Sequence, residues 1–365
     1  MNKIIEFNIL MNSEKSGRIG FVSPSNIAII KYWGKYPGQI PANPSVSFTL
    51  KNAVTEMITE FYYHPQQSSG NVELFFEGHY HPDFTRKIEK FIQKNQILFP
   101  LAAKCSLKIQ SKNSFPHSAG IASSASSMSA LALSLYEINS LLTEENTKWQ
   151  QNRTTVSSFA RLASGSACRS VFEGIALWGK SSLINISSND YAIPLVEEIN
   201  PVFKTFKDVI LIVDEGTKSV SSSSGHALME NNPYSASRYL QANKNLEQLL
   251  FAFKTGELDL FCKISENEAL SLQSLMLMSE PWYMLIKPDT VRILQEIKTF
   301  REQKKLPVCF TIDAGPNVHL LFPESVEKEI MLFINYLSDI CGGIKWLEDG
   351  IGTGPKQINF DNEYN

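Results

Sequence analysis

No two cysteines of this chain are spaced to begin a zinc site or a disulfide framework: Cys105, Cys168, Cys262, Cys309 and Cys341 are odd in number and far apart, with no CxxC pair. They read as reduced, mostly buried thiols. Long apolar runs are also missing, none approaching the roughly 20 residues of a membrane-spanning helix. The start, MNKIIEFNILMNSEKSG, breaks its short apolar stretch at Glu6 and Asn8 and offers no signal-peptide core. We expect a cytoplasmic protein without a membrane partner. Basic charge is not in excess: the formal net charge is −3, with Lys and Arg interspersed among Asp and Glu. That leaves no face for a phosphate backbone and excludes nucleic acid as a partner. A Walker loop, GxxxxGK(S/T), is absent, as are internal repeats and low-complexity tracts.

What is present suffices for two hydrophobic cores, since 365 residues with 43% hydrophobic content exceed one comfortable core. Strand-like alternation marks Phe21 with Ile27–Ile30, then Val46, Phe48 and Leu50, then VTEMITEFYY ending at Tyr63. HPQQSSG is a turn, VELFFEG a strand, and PDFTRKIEKFIQKNQIL a helix with Phe84, Ile88, Phe91 and Ile92 on one face. SLKIQSK is a strand that leads through a Pro/Gly/Ser loop into a long helix. A second helix near Thr154–Ala163 runs into the turn ASGSAC, and GIALWGK and SSLINIS resume strand character. After Pro201 the pattern restarts with the strand VILIV, Leu-rich helices between Tyr234 and Met278, a helix over Asp289–Lys304 and the strand VCFTI. Helices and strands without steady βαβ alternation predict an α+β fold.

The segment FPHSAGIASSASSMSALALSLYEI joins a rigid Pro116 and a flexible Gly120 to an apolar helix through small residues. Small side chains let backbone N–H groups approach an anion, and a helix N-terminus adds about half a positive charge there. The competing reading is a tightly packed capped helix, with one of Ser123, Ser124, Ser126, Ser127 or Ser129 as its N-cap. Lys31, inside the apolar run IIKYW, needs a carboxylate nearby unless it snorkels to solvent. Asp313, between VCFTI and AGPN, reads in isolation as a turn-capping Asp. Arg169 follows Ser164, Gly165 and Ser166, where a guanidinium could grip a carboxylate through two parallel bonds or simply sit solvated at a helix start.

Five segments occur in order: NIAIIKYWGK (Asn26–Lys35), PANPSVSFTL (Pro41–Leu50), PHSAGIASSAS (Pro116–Ser126), ASGSACRS (Ala163–Ser170) and IDAGPN (Ile312–Asn317). Together they resemble the diphosphomevalonate decarboxylases of the galactokinase, homoserine kinase, mevalonate kinase and phosphomevalonate kinase superfamily. KSVSSSSGH (Lys218–His226) and GTGP (Gly352–Pro355) agree weakly. The resemblance implies an N-terminal nucleotide-binding α+β domain over 15–195 and a C-terminal ferredoxin-like domain over 196–360, with the active site in the cleft between them. It implies ATP as co-substrate, Mg2+, mevalonate 5-diphosphate as substrate and a homodimer.

By the same resemblance Asp313, facing Lys31, acts on the substrate 3-hydroxyl, and Arg169 holds the C1 carboxylate. Asn26, Tyr32, Lys35, Ser164, Ser166 and Ser222 belong to the substrate site; Trp33 is core. The ATP phosphates would meet Pro116, Ser118, Gly120, Ala122, Ser123 and Ser124, with Ser123 or Ser124 as a contact to Mg2+. Where the family commonly has threonine and glycine in this loop, the chain has His117 and Ser127; neither receives a role. Two rival readings stay open: a sister decarboxylase or 3-kinase using mevalonate or its monophosphate, and an inactive binding protein on the same fold.

Overall fold

The computed structural model describes residues 14–116, 121–144, 147–196, 199–216 and 220–360. The first part of the chain runs through β1 (Lys15–Ile30), a small hairpin of β2 (Lys35–Tyr36) and β3 (Ile40–Pro41), β4 (Ser45–Tyr63), β5 (Val72–Phe76) and β6 (His79–Tyr80). Then come α1 (Pro82–Lys94), β7 (Cys105–Asn113), α2 (Ser123–Thr143), α3 (Arg153–Ala163), β8 (Ile175–Trp178) and β9 (Ala192–Pro194).

The runs Val46–Leu50 and VTEMITEFYY form one strand, β4. It lies beside β1 along its length, beside β8 in its first part and beside β7 in its second. Its burial explains the change of pattern within it. Ser45–Leu50 are all buried, whereas from Ala53 onward inward and outward residues alternate as on a sheet with one covered face. The order is β14 (Lys356–Ile358), β1, β4, β7, β5, β6, with β8 and β9 branching from β4, antiparallel throughout except β5 beside β7. Helices α1, α2 and α3 cover one face, where Phe21, Met57, Leu107, Leu131, Leu135 and Phe159 share a core.

SSLINIS does not resume a strand. It turns, with a single bridge between Ser181 and Ile184. The reason lies in its serines: Ser187 Oγ donates to the carbonyls of Ser181 and Ile184 and accepts the Ser181 N–H, offering the backbone a local alternative to a ladder.

The second part contains β10 (Phe206–Ile212), α4 (Ser222–Leu228), α5 (Ser235–Thr255), α6 (Leu258–Leu277), α7 (Pro288–Lys304), β11 (Cys309–Thr311), β12 (Val318–Pro323), α8 (Glu327–Ile340) and β13 (Lys345–Gly350). Its sheet has the order β11-β12-β10-β13, all antiparallel. In chain order those strands are second, third, first and fourth, with helices after the first and third: a ferredoxin-like arrangement. The chain then returns to the first sheet, where β14 (Lys356–Ile358) pairs with β1.

The two sheets are joined by apolar packing. Phe48 from β4 stacks on Phe261 of α6, and Phe203, Phe206 and Phe253 complete the ring cluster. Burying five phenyl rings between the halves fixes their mutual position at roughly 2 kcal/mol or more per ring. Beside this joint Asp349 on β13 accepts the backbone N–H groups of Lys51, Asn52 and Ala53 from β4. A cleft of about 730 Å³ opens alongside the joint. No helix among the described residues is long and apolar enough to cross a membrane.

Candidate active site

Lys31 follows the last residue of β1, so its backbone leaves the sheet at the cleft. The ammonium is 1% exposed and donates to Asp313 Oδ1 at 2.7 Å, while the Asp313 side chain is 24% exposed. The lysine therefore has the carboxylate its burial demands rather than a route to solvent. Burial pulls the Lys31 pKa below its ordinary value, opposed by Asp313 and more weakly by Glu268.

Asp313 stands just beyond β11, and its carbonyl accepts from Gly315 N and from Gln273 Nε2. Another residue of the same turn, Asn317, ties it to the end of β10. Asn317 Oδ1 accepts the N–H groups of Val213 and Asp214, and its Nδ2 donates to the Asp214 carbonyl. The Asp313 carboxylate lines the cleft with Lys31.

The backbone of Lys31 is held by groups that the sequence reading did not single out. Glu268 of α6 accepts the Lys31 N–H at 2.8 Å, and Asn43 Nδ2 donates to the Lys31 carbonyl. Arg238 of α5 makes a two-pronged ion pair with Glu268, whose Oε1 also accepts from Asn245. One trace of this was readable: Phe261, Ser265, Glu268, Leu272 and Leu275 share a helical face, and an acidic residue on an apolar stripe calls for a partner.

Arg169 lies in a turn of 3-10 helix over Gly165–Val171 and is 2% exposed. Its guanidinium donates to Asn26 Oδ1 from Nε and Nη2 and to Ser45 Oγ from Nη1. Among the described residues no carboxylate lies within ion-pair distance of it. Asn26, on β1, is oriented by donating its amide to the Ser166 carbonyl and Ser170 Oγ. A buried guanidinium whose partners are all neutral is a receptor for an anion.

At the other side of the cleft α2 begins without a side-chain cap. Its N-cap is Ala122, and none of the five serines fills that role. Ser126 and Ser127 instead donate back to the Ser123 carbonyl. The Ala125 N–H is taken by the Ala122 carbonyl, and the start of this 21-residue helix lines the cleft at Ser123 and Ser124. Pro116 precedes this stretch; Ser118 and Gly120, like His117, lie outside the described residues.

Ser164 Oγ donates to Ser124 Oγ at 3.4 Å, which links the ASGSAC turn to this helix start. Tyr32 lies over Gly165, where any Cβ would sit 2.7 Å from the phenol oxygen, so only glycine admits the ring. Among the described residues that oxygen is buried with no hydrogen-bond partner, and burial pushes its pKa up. Lys35 donates to Gln39, and Ser166 and Ser222 line the same cleft. Trp33 is buried among Leu272, Met276 and Tyr283, as expected of a core residue. The structure thus brings together Lys31, Asp313, Arg169, Asn26, Tyr32, Lys35, Ser123, Ser124, Ser164, Ser166 and Ser222.

An acid-base pair, a buried guanidinium with neutral hydrogen-bond partners and a helix start around one cleft suit transfer of a phosphoryl group to a carboxylate-bearing substrate. Comparison with known proteins agrees. Residues 23–190 match the model of the diphosphomevalonate decarboxylase-like N-terminal domain, and 208–351 that of the mevalonate 5-diphosphate decarboxylase C-terminal domain. The diphosphomevalonate decarboxylase of Candida albicans is 25% identical over 92% of this chain and 97% of its own length. The mevalonate diphosphate decarboxylase structure from Staphylococcus aureus superposes with a TM-score of 0.78 at 26% identity, covering 95% of this chain and 99% of that one. The structure of MDDEF in complex with MVAPP, AMPPCP and magnesium gives 0.77 at 26% identity, covering 94% and 100%.

Proposed function

The chain belongs to the diphosphomevalonate decarboxylase family and catalyses the ATP-dependent decarboxylation of mevalonate diphosphate; we propose that Asp313, Lys31 and Arg169 carry that reaction. The observation that carries the assignment is the meeting, in one cleft, of the Lys31–Asp313 pair with an Arg169 that has only neutral partners.

Asp313 accepts a hydrogen bond from the substrate 3-hydroxyl and orients its oxygen toward the γ-phosphorus of ATP. Lys31 holds the carboxylate ionised and offsets charge as the hydroxyl proton passes toward Asp313. The new O–P bond forms as the bond to ADP breaks. A tertiary phosphate leaves with the C3–O electron pair, and the C1–C2 pair becomes the C2–C3 double bond as carbon dioxide departs. Arg169 aligns the C1 carboxylate through its fork. Its contribution is geometric, because stronger stabilisation of the carboxylate would oppose loss of neutral carbon dioxide. Isopentenyl diphosphate, ADP, phosphate and carbon dioxide are the products.

Asn26 sets the Arg169 fork, and Tyr32, Lys35, Ser164, Ser166 and Ser222 hold the 5-diphosphate. The α2 N-terminus with Ala122, Ser123 and Ser124 receives the ATP phosphates; Pro116, Ser118 and Gly120 belong to the same loop. The cleft end lined by Phe76, Phe84, Phe91 and Met128 suits the base. No cluster of three or more His, Cys, Asp or Glu suited to a metal occurs among the described residues. Ser123 or Ser124 would offer Mg2+ a hydroxyl contact. When bound it would neutralise phosphate charge. The same proposal takes residues 15–195 and 196–360 as the two working units and a homodimer as the assembly, the latter checked by light scattering.

The test is an assay of ADP and carbon dioxide together, with ATP, Mg2+ and either mevalonate 5-diphosphate or the 5-monophosphate. The expected outcome is one ADP per carbon dioxide with the diphosphate, abolished in Asp313→Ala. Preference for the monophosphate would move the chain to a sister decarboxylase, and ADP without carbon dioxide would make it a kinase.

A further inference from the structure

His226 has no part in the reaction outlined above, yet it is among the most constrained side chains of the cleft. It lies in α4, is buried, and lines the cleft with Ser221, Ser222 and Ser223. Its ring packs between Tyr32 and Trp33, at centroid distances of 4.3 and 4.7 Å. Its Nδ1 accepts the Gly34 N–H at 3.0 Å. Gly34 has φ of +98°, a conformation that L side chains rarely adopt, and a Cβ there would meet Tyr239 Oη at 2.1 Å. The donor to Nδ1 is therefore held by the backbone rather than by an adjustable side chain.

An imidazole that accepts at Nδ1 keeps its one proton on Nε2. Among the described residues nothing accepts from that Nε2, although the residue borders the cleft. Burial, together with the positive charge of Lys35, pulls the His226 pKa to about 3, so the ring is neutral under ordinary conditions. A neutral, orientationally fixed N–H beside Lys35 supplies a hydrogen bond to an anion without adding charge that would have to be desolvated.

We propose that His226 is a substrate-binding residue whose Nε2–H donates to a phosphate oxygen of the 5-diphosphate. This rests on the assignment of that end of the cleft to the diphosphate. The residue acts in recognition, not in chemistry, because the reacting atoms lie at the Lys31–Asp313 pair.

Two substitutions separate this role from a merely structural one. His226→Asn retains an acceptor where Nδ1 receives the Gly34 N–H and deletes the outward donor. His226→Gln places an amide N–H where Nε2 stood and loses the Nδ1 acceptor. A hydrogen bond to a charged group corresponds to about 10- to 100-fold in affinity. The expected result is a KM for mevalonate 5-diphosphate raised by about that factor in the Asn variant, with kcat within about threefold and the KM for ATP unmoved. The Gln variant stays within about fivefold of wild type. The reverse order, with Asn near wild type and Gln impaired, would assign His226 to holding Gly34 and overturn the proposal, as would equal KM values in all three. Failure of the catalytic reading would show separately, as wild-type protein releasing no carbon dioxide. In that case calorimetric titration with inorganic pyrophosphate decides, the same order of Kd values supporting the donor and equal values overturning it.

Discussion

Two buried arginines stand close to Lys31 and are treated in opposite ways. Arg238 reaches Glu268 through both prongs of its guanidinium, and Asn245 and the Lys31 N–H complete the carboxylate's bonds. Arg169 is buried to the same degree but bonds only to an amide oxygen and a hydroxyl. The first is a charge-paired structural unit that positions the Lys31 backbone, with its Nε lacking a partner among the described residues. The second is a buried charge with neutral hydrogen-bond partners, opposed only through space by Asp313, which a protein tolerates where a ligand brings a further anion. Similar burial and identical chemistry therefore signal different roles, and the partner's charge tells them apart. His226 adds a third treatment: a potentially cationic ring kept neutral by burial and by accepting a backbone N–H.

The largest effect that would sharpen this contrast is on folding. Glu268→Gln leaves Arg238 buried without its counter-charge and should lower stability by about 3–5 kcal/mol, read from urea unfolding midpoints. A change below about 1 kcal/mol would mean the pair is not the structural unit described. Next comes Arg169→Lys, which keeps the charge and loses the fork. Turnover should fall about 100-fold, in keeping with the sensitivity of reactions to misplaced groups, while nucleotide affinity stays within about threefold. Nucleotide binding falling as far as turnover would remove Arg169 from the carboxylate site.

The smallest effect concerns His226 and acid. Its folded pKa of about 3 lies below the unfolded value of 6.5, so the unfolded chain takes the proton first. Stability is complete above pH 6.5 and declines as pH falls toward 3. Between pH 7 and 5 wild type should lose about 2 kcal/mol more than His226→Gln, measured as the shift in unfolding midpoint. Equal losses in the two proteins would show that the ring is not held neutral.

Much of the site was legible as residue types in short segments. A lysine in IIKYW had either to find a carboxylate or to reach solvent, and the structure pairs it with Asp313. The helix after the Ser-rich loop begins where small residues predict. Its cap was misread, because serine's general preference for N-caps does not say whether a hydroxyl will turn back onto the Ser123 carbonyl instead. SSLINIS was misread for a related reason, since local serine bonds overrode its strand-like pattern. The structural partners Arg238 and Asn43 left no signal, because a pairing between separate segments has no local periodicity, and Glu268 left only the trace of an acid on the apolar stripe of α6. The last part of the fold, β12 to β14 with α8, was equally silent in the reading, although its strand order makes the ferredoxin-like sheet and carries β14 back to β1.

By itself the sequence determined the α+β class and the apolar faces of the helices, because these follow from local periodicity; the charged set Lys31, Arg169 and Asp313 rested on the family resemblance, since each residue in isolation had another reading. Only the tertiary structure decided that Arg169 would face neutral hydrogen-bond partners, that Arg238 would pair with Glu268, and that Asn317 would tie the DAGPN turn to the end of β10. Those outcomes depend on which distant groups packing brings within 3 Å of one another, a property of the assembled cleft rather than of any segment that lines it.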